Sequence, residues 1–88
     1  MTWACELTED AERDLCGLPK RIQKRIARTL TQMAADPFEG NVKALKGDEW
    51  RGVFRRCIGD YRILFTADRT KQTVFILRLL LRSEKSYR

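Results

Sequence analysis

Apolar residues recur at helical spacing in the first half of the chain and at strand spacing in the second half. Residues 2–7 have the composition of a short first strand, and Thr8 follows as a helix N-cap. The apolar spacing predicts one short helix that ends near Gly17 and a second helix over residues 19–35. The stripes that these helices should bury are Ala11, Leu15 and Leu18 in the first, and Ile22, Ile26, Leu30 and Met33 in the second.

Residues 53–65 form the clearest pattern of the second half, a β-hairpin with Gly59-Asp60 at its turn. A two-residue turn pairs Ile58 with Tyr61, and strand alternation then assigns the other side chains to two faces. The core face is predicted to carry Phe54, Arg56, Ile58, Tyr61, Ile63 and Phe65, and the second face Val53, Arg55, Cys57, Arg62, Leu64 and Thr66. Arg55 and Arg62 should face each other on the second face, which favours a bound anion, although two solvated arginines would give the same pattern.

A last strand is predicted over residues 72–82. Its alternation predicts one face with Phe75, Leu77, Leu79 and Leu81, and another with Val74, Ile76, Arg78, Leu80 and Arg82. The expected architecture is α+β, an antiparallel sheet of about four strands with two N-terminal helices packed on one face. The other face should stay open, with Arg55, Arg62, Arg78 and Arg82 pointing outwards.

The chain is small and basic. Its 88 residues make one domain, 1–88, with a formal net charge of +6 and a pI near 9.7. A basic domain of this size favours a polyanionic partner, most often nucleic acid, although an acidic protein would also fit. Neither a secretory signal nor a membrane-spanning run is predicted, so we expect a cytoplasmic protein.

The residue types that are missing restrict the chemistry. Histidine is absent, and Cys5, Cys16 and Cys57 are odd in number and widely spaced. A disulfide framework and a structural zinc site are therefore not expected, and neither a metal nor a cofactor is predicted. Any catalysis would have to use Lys, Arg, Tyr, Asp, Glu or Cys rather than a histidine.

The second helix carries a run of cations with no acidic residue among them. Cations near a helix N-terminus oppose the helix dipole, so helix stability does not explain them. The alternatives are a solvated face and a surface that follows a nucleic-acid backbone. The predicted nucleic-acid-binding residues are Lys20, Arg21, Lys24, Arg25 and Arg28, together with Arg78 of the last strand.

Three stretches resemble the RelE/ParE superfamily of bacterial toxins, in the branch of RelE-type messenger-RNA interferases. They are residues 7–15 followed by Leu18-Pro19, residues 45–47 leading to Val53-Phe54-Arg55 and to Gly-Asp-Tyr-Arg-Ile at 59–63, and residues 77–82 ending in Tyr87-Arg88. Together they cover nearly the whole chain. The resemblance implies the RelE-like fold, a toxin of a type II toxin–antitoxin system, and a cognate antitoxin, the ribosome and mRNA as partners.

The resemblance also implies an activity. RelE-type members cut mRNA in the ribosomal A site by attack of the RNA's own 2′-hydroxyl on the adjacent phosphate, which inhibits translation. Carried over by position, the implied catalytic residues are Arg55, Arg62, Arg82 and Tyr87. Arginine suits a phosphate but is a poor general base, so stabilisation of charge is its expected role.

Two departures from the family pattern affect this expectation. Cys57 stands where many RelE-type members have a second Lys or Arg, so one interpretation is an enzyme weakened at this position. Leu80-Leu81 precedes Arg82 where many relatives have Gly-His. The alternative functions are a ParE-like toxin that inhibits DNA gyrase without cutting RNA, and a plain binding module for an acidic partner.

Overall fold

Two helices and five strands make up the part of the chain described by the computed structural model, which covers residues 2–81. The predicted catalytic residues Arg82 and Tyr87 lie outside these described residues. The elements are β1 Ala4–Leu7, α1 Glu9–Cys16, α2 Lys20–Ala35, β2 Val42–Ala44, β3 Phe54–Ile58, β4 Tyr61–Asp68 and β5 Thr73–Leu81, with a 3₁₀ turn at Asp48–Trp50. No helix of this part is both long and apolar enough to cross a bilayer.

The sheet has the order β1-β5-β4-β3-β2, which confirms the predicted α+β architecture with two changes. It contains five strands rather than about four, because residues 42–44 pair with β3 as an edge strand. It is also mixed, because β1 runs parallel to β5, from Ala4 opposite Thr73 to Leu7 opposite Ile76. The long connection that a parallel pair requires is here the whole chain between β1 and β5: the two helices lead from β1 at one edge of the sheet to β2 at the other edge, and β2, β3 and β4 return to β5.

The main core lies between the helices and one face of the sheet. The α2 stripe is as predicted: Ile22, Ile26 and Met33 are buried and Leu30 packs against them partly exposed. The sheet contributes Ile58, Ile63, Phe65, Val74, Ile76 and Leu79 to the same core. The apolar residues at helical spacing in α2 and those at alternate positions in β3 and β4 therefore pack into one apolar layer.

A β-bulge corrects the predicted faces of β5. Opposite Leu64 and Phe65 of β4 stand Arg78 and Ile76, so Leu77 is an extra residue in β5. An extra residue reverses the alternation beyond it. Val74 and Ile76 therefore share the helix-facing core with Leu79, whereas Leu77 and Leu80 contact a second cluster on the other face.

That second cluster means that the face predicted to be open is partly covered. Val53, Leu64 and Leu80 are buried there, with Leu45, Trp50 and Leu77 packed against them. Leu45 and Trp50 belong to the segment between β2 and β3, which crosses this side of the sheet. The basic residues of this face therefore border an apolar patch.

Helix α1 is attached to β5 by polar contacts at both of its ends. Thr8 is its N-cap, as predicted, and the Thr8 hydroxyl accepts from the Ala11 N–H at 3.2 Å. The same hydroxyl lies 3.0 Å from the carbonyl of Leu77, to which it can donate. Near the C-terminal end, Asp14 accepts from the Leu79 N–H at 3.0 Å, just beyond the point where β1 ends.

Candidate functional site

The face of the sheet that points away from the helices carries two neighbouring rows of side chains from β2, β3 and β4. In the first row Lys43 pairs with Arg55, and Arg55 with Leu64. In the second row Cys57 pairs with Arg62, and Arg62 with Leu80. We call Lys43, Arg55 and Arg62 the cationic cluster. Arg55 and Arg62 flank Cys57 in these rows, and the buried Leu64 and Leu80 complete the rows.

The hairpin turn sets this arrangement. Gly59 has φ +53°, which an L-residue adopts only at a cost, and within residues 2–81 Gln72 is the only residue other than glycine with a positive φ. A positive φ at the first central position alone is typical of a type II′ turn. The turn pairs Ile58 with Tyr61, as predicted, and this register places Cys57 opposite Arg62.

The predicted facing pair of arginines is therefore wrong in detail. Arg55 and Arg62 share a face, but they lie on a diagonal rather than directly opposite each other, because Arg55 pairs with Leu64. The cation directly opposite Arg55 is Lys43 on the edge strand β2. Two like charges at this spacing repel, so a bound anion is favoured beside Lys43 and Arg55.

Cys57 is in contact with Arg55. The Arg55 guanidinium Nη1 donates to the Cys57 Sγ at 2.8 Å, and both side chains are partly buried. The Nε of Arg62 is buried as well. The thiol, which stands opposite Arg62 in the strand pairing, thus gives Arg55 a hydrogen-bond acceptor.

Arg78, a predicted RNA-binding residue expected on the open face, forms an ion pair with α1. Its Nε donates to Asp14 Oδ2 at 2.7 Å and its Nη2 donates to Oδ1 at 3.2 Å. Burial by itself raises the pKa of Asp14, but the hydrogen bonds from Arg78 and from the Leu79 N–H, with the positive charge of Arg78, outweigh it and hold that pKa below its usual range. This pair joins α1 to β5, which gives Arg78 a structural role that its place in the sequence does not reveal.

The other predicted RNA-binding residues lie on α2, whose sheet-facing side packs on the opposite face of the sheet from the cationic cluster. All of them are exposed: Lys20, Arg21, Lys24, Arg25 and Arg28. Arg21 and Arg25 stand beside the hairpin turn and line a cleft with it. The structure therefore places these five cations on a different side of the molecule from Arg55 and Arg62.

Lys43 is the residue of this face that sequence reasoning missed. It belongs to a strand of three residues, too short for its alternation to assign a face. The only signal was its position in an extended segment before the hairpin. Within residues 2–81, no group of three or more Cys, Asp or Glu side chains is placed to hold a metal ion.

Comparison with known families gives one match that spans the chain. Residues 5–86 match the model of the ParE toxin of the type II toxin–antitoxin system parDE. A comparison with curated proteins gives no match.

Solved structures show the same architecture. A chain of the RelBE2 toxin–antitoxin complex from Mycobacterium tuberculosis superposes with a TM-score of 0.84 and 30% sequence identity, over 93% of this chain and 100% of that one. A chain of the archaeal RelE–RelB complex from Pyrococcus horikoshii OT3 gives 0.79 and 23%, over 97% and 100%. The isolated E. coli RelE toxin gives 0.77 and 15%, over 97% and 89%, which shows a shared fold.

The family match over residues 5–86 and the likeness to the M. tuberculosis complex agree with the resemblance drawn from the sequence motifs. The chain belongs to the RelE/ParE superfamily of toxins from type II toxin–antitoxin systems.

Proposed function

We propose that this toxin is a ribosome-dependent endoribonuclease that cuts mRNA in the A site and so inhibits translation. The observation that carries the proposal is the cationic cluster, in which Lys43, Arg55 and Arg62 share one sheet face beside an apolar patch. Electrostatic interactions beside a region of low dielectric are stronger than in water. Such a cluster can hold a phosphate while the negative charge of that phosphate increases in the transition state.

The reaction needs little beyond charge and position. The 2′-oxygen forms a bond to phosphorus and the bond from phosphorus to the 5′-oxygen breaks, which leaves a 2′,3′-cyclic phosphate and a 5′-hydroxyl. One proton leaves the 2′-hydroxyl and another reaches the 5′-oxygen. The extra negative charge of the pentacoordinate phosphate is the part that the arginines would stabilise, since a guanidinium fork can bind two phosphate oxygens.

The proton transfers are not assigned to the arginines. Arginine stays protonated near neutral pH and is a poor base. The chain offers no histidine for this step. We therefore assign stabilisation to Arg55, Arg62 and Lys43, with assistance from the ribosome in the proton transfers. Arg82 and Tyr87 remain proposed catalytic residues on the resemblance alone.

Binding to the ribosome would use the second basic surface. The five exposed cations of α2 would contact ribosomal RNA, while the cationic cluster on the other face meets the message. Neutralising phosphates with Lys and Arg releases counterions, so this binding should weaken as salt rises. The proposed site of action is the cytoplasm, where ribosomes translate.

An antitoxin is the second proposed partner. The M. tuberculosis and P. horikoshii structures are complexes of toxin and antitoxin. For this chain, with its net charge of +6, an antitoxin with an acidic segment could cover the basic face or add to an edge of the sheet. Either position would block access to the ribosome.

Inhibition of DNA gyrase is the second candidate function. One observation favours it, the match of residues 5–86 to a ParE family model. The cationic cluster favours RNA cleavage instead, because cations held beside one another on a sheet repel each other unless an anion such as a phosphate lies between them.

Induction in cells tests the proposal. Primer extension on a translated message should show new 5′ ends within codons after the toxin is induced. Arg62→Ala should reduce these ends about 100-fold, the usual loss when one transition-state donor is removed. Arg69→Gln in the β4–β5 turn, which also removes one positive charge, is the control and should cut like the wild type. Filamentous cells with broken DNA and intact messages would instead support the gyrase function.

A further inference from the structure

A cleft of about 250 Å³ separates the first half of α2 from the hairpin turn. Its walls are Arg21, Ile22 and Arg25 from the helix, and Gly59, Asp60 and Tyr61 from the hairpin. It lies on the helix-facing side of the sheet, since Tyr61 pairs with Ile58 of the main core. It is therefore separate from the cationic cluster on the opposite face.

Gly59 allows one wall of the cleft to form. A Cβ at residue 59 would lie 2.9 Å from Nη1 of Arg25 and 3.1 Å from its Nη2. The Arg25 guanidinium thus rests against the bare Cα of the turn, a position that no larger residue would allow without a shift. Arg21 is one helical turn earlier on the same side of α2 and brings a second guanidinium to the cleft.

The remaining walls are not those of a simple anion site. Tyr61 brings an aromatic ring, and Asp60 brings a carboxylate that would repel an anion placed beside it. A nucleotide has a group for each of these features. Its phosphate suits the two guanidinium groups, its base suits the ring, and a base amino group or a ribose hydroxyl can donate to the carboxylate.

The size of the cleft is consistent with this ligand. Sites for drug-sized ligands have volumes of roughly 300–1,000 Å³, and this cleft is slightly smaller. It would accept one nucleotide of a strand rather than a large cofactor. An acidic peptide would satisfy the arginines but would meet repulsion at Asp60 and gain little from the tyrosine ring.

We infer that this cleft binds one unpaired nucleotide of an RNA strand other than the message being cut, with the phosphate on Arg21 and Arg25 and the base on Tyr61. The inference rests on the proposed function, because it presumes that the toxin binds RNA. It adds a site that holds a base, whereas the other cations of α2 are proposed to contact only the RNA backbone.

The direct test is an NMR titration of the ¹⁵N-labelled protein with adenosine 5′-monophosphate and, separately, with ribose 5-phosphate. The backbone amides of Gly59, Asp60 and Tyr61 should shift, and the nucleotide should bind about tenfold more tightly than the sugar phosphate, because one base–aromatic stack contributes about that factor. Equal affinities for the two ligands, or shifts confined to other residues, would overturn the inference.

Three variants make the titration specific. Arg21→Gln/Arg25→Gln should weaken both ligands at least tenfold, and Tyr61→Leu should reduce the nucleotide to the affinity of the sugar phosphate. Arg13→Gln/Lys71→Gln removes the same charge at exposed positions outside the cleft and should bind like the wild type. An equal loss of affinity in this control would mean that the ligands bind only through the net charge of the protein. A glutamate-rich peptide that binds more tightly than the nucleotide and shifts the same amides would assign the cleft to a protein partner.

The ribosome separates this inference from the proposed function. Arg21→Gln/Arg25→Gln should raise the Kd for ribosomes about tenfold more than Lys20→Gln/Lys24→Gln, which removes the same charge from α2 outside the cleft. An equal rise in both variants would contradict the cleft. An unchanged Kd would contradict the cleft while leaving the nuclease intact. If neither the wild type nor any variant cleaves RNA but the NMR titration gives the expected result, the nuclease function would be contradicted and the inferred nucleotide site would stand.

Discussion

Cys57 lies directly opposite Arg62 and two residues from Arg55 on β3, at the position where the family resemblance implies a second Lys or Arg. The structure gives it a contact, because it accepts a hydrogen bond from Arg55 at 2.8 Å. Lys43, directly opposite Arg55 on β2, brings a cation to the same face. The proposed site therefore does not depend on a basic residue at position 57.

Because Cys57 contacts Arg55, the cleavage rate should depend on whether the residue at position 57 can accept a hydrogen bond. Cys57→Ala removes the acceptor that orients Arg55 and should lower the single-turnover cleavage rate about fivefold, the equivalent of one hydrogen bond. Cys57→Ser keeps an acceptor and should stay within about twofold of the wild type. Equal rates for the alanine variant and the wild type would show that the thiol does not orient Arg55.

Lys43 has a matched control three residues along the chain. Lys43→Gln should lower cleavage about tenfold, because it removes a charge next to the phosphate that Arg55 would hold. Lys46→Gln removes the same charge from the exposed loop that follows β2 and should cut normally. Similar losses in both variants would point to net charge rather than to position. Rates should be measured at saturating ribosomes.

At the scale of elements, the local patterns were predictable and the long-range pairings were not. The stripe of α2, the Thr8 cap and the 59–60 turn each depend on residues within a few positions of one another. The parallel pairing of β1 with β5 joins Ala4 to Thr73, and the bulge at Leu77 is visible only in the register with β4. Neither leaves a local signal in the chain.

The same division holds for the candidate site. Alternation along one hairpin placed Arg55 and Arg62 on a common face. Lys43 was missed because its strand has three residues, and the ion pair of Arg78 was missed because its partner Asp14 is 64 positions away. The cleft beside Gly59 was missed because it needs the packing of α2 against the turn.

The link between α1 and β5 should make stability depend on pH. The pKa of Asp14 is lower in the folded chain than the unfolded value of about 3.9, so the folded state binds the proton less tightly. The stabilisation is therefore complete well above that value and is lost as the pH falls through it towards the lower folded pKa. Asp14→Asn should remove about 1–2 kcal/mol at pH 7, a modest figure because the Arg78 side chain is 41% exposed.

Urea denaturation at pH 7 and pH 3 measures this effect. The wild type should lose more stability between the two values than Asp14→Asn does. Asp10→Asn on the same helix is the control, since its ion pair with Arg13 spans 3.7 Å between side chains that are both mostly exposed. It should change the free energy of unfolding by less than about 0.5 kcal/mol. A wild-type pH dependence retained in full by Asp14→Asn would contradict the role of the pair.

At the scale of the whole molecule, the fold separates two basic surfaces. The sheet carries the cationic cluster on one face, and α2 carries five cations on the side of the other face. A small domain arranged in this way can contact ribosomal RNA with one surface and the message with the other. The two surfaces can also be altered independently, which is why binding and cleavage should respond to different variants.

The proposed reaction requires the RNA's own 2′-hydroxyl to attack the phosphate that the cationic cluster holds. Purified ribosomes should be programmed with a message that has an all-ribose codon in the A site, or with the same message carrying a single 2′-deoxynucleotide immediately 5′ of the scissile phosphate. We expect rapid cleavage of the first message, no cleavage of the second, and no cleavage of either without ribosomes. Equal cleavage of both messages on the ribosome would contradict attack by the 2′-hydroxyl, and two intact messages would contradict the nuclease itself.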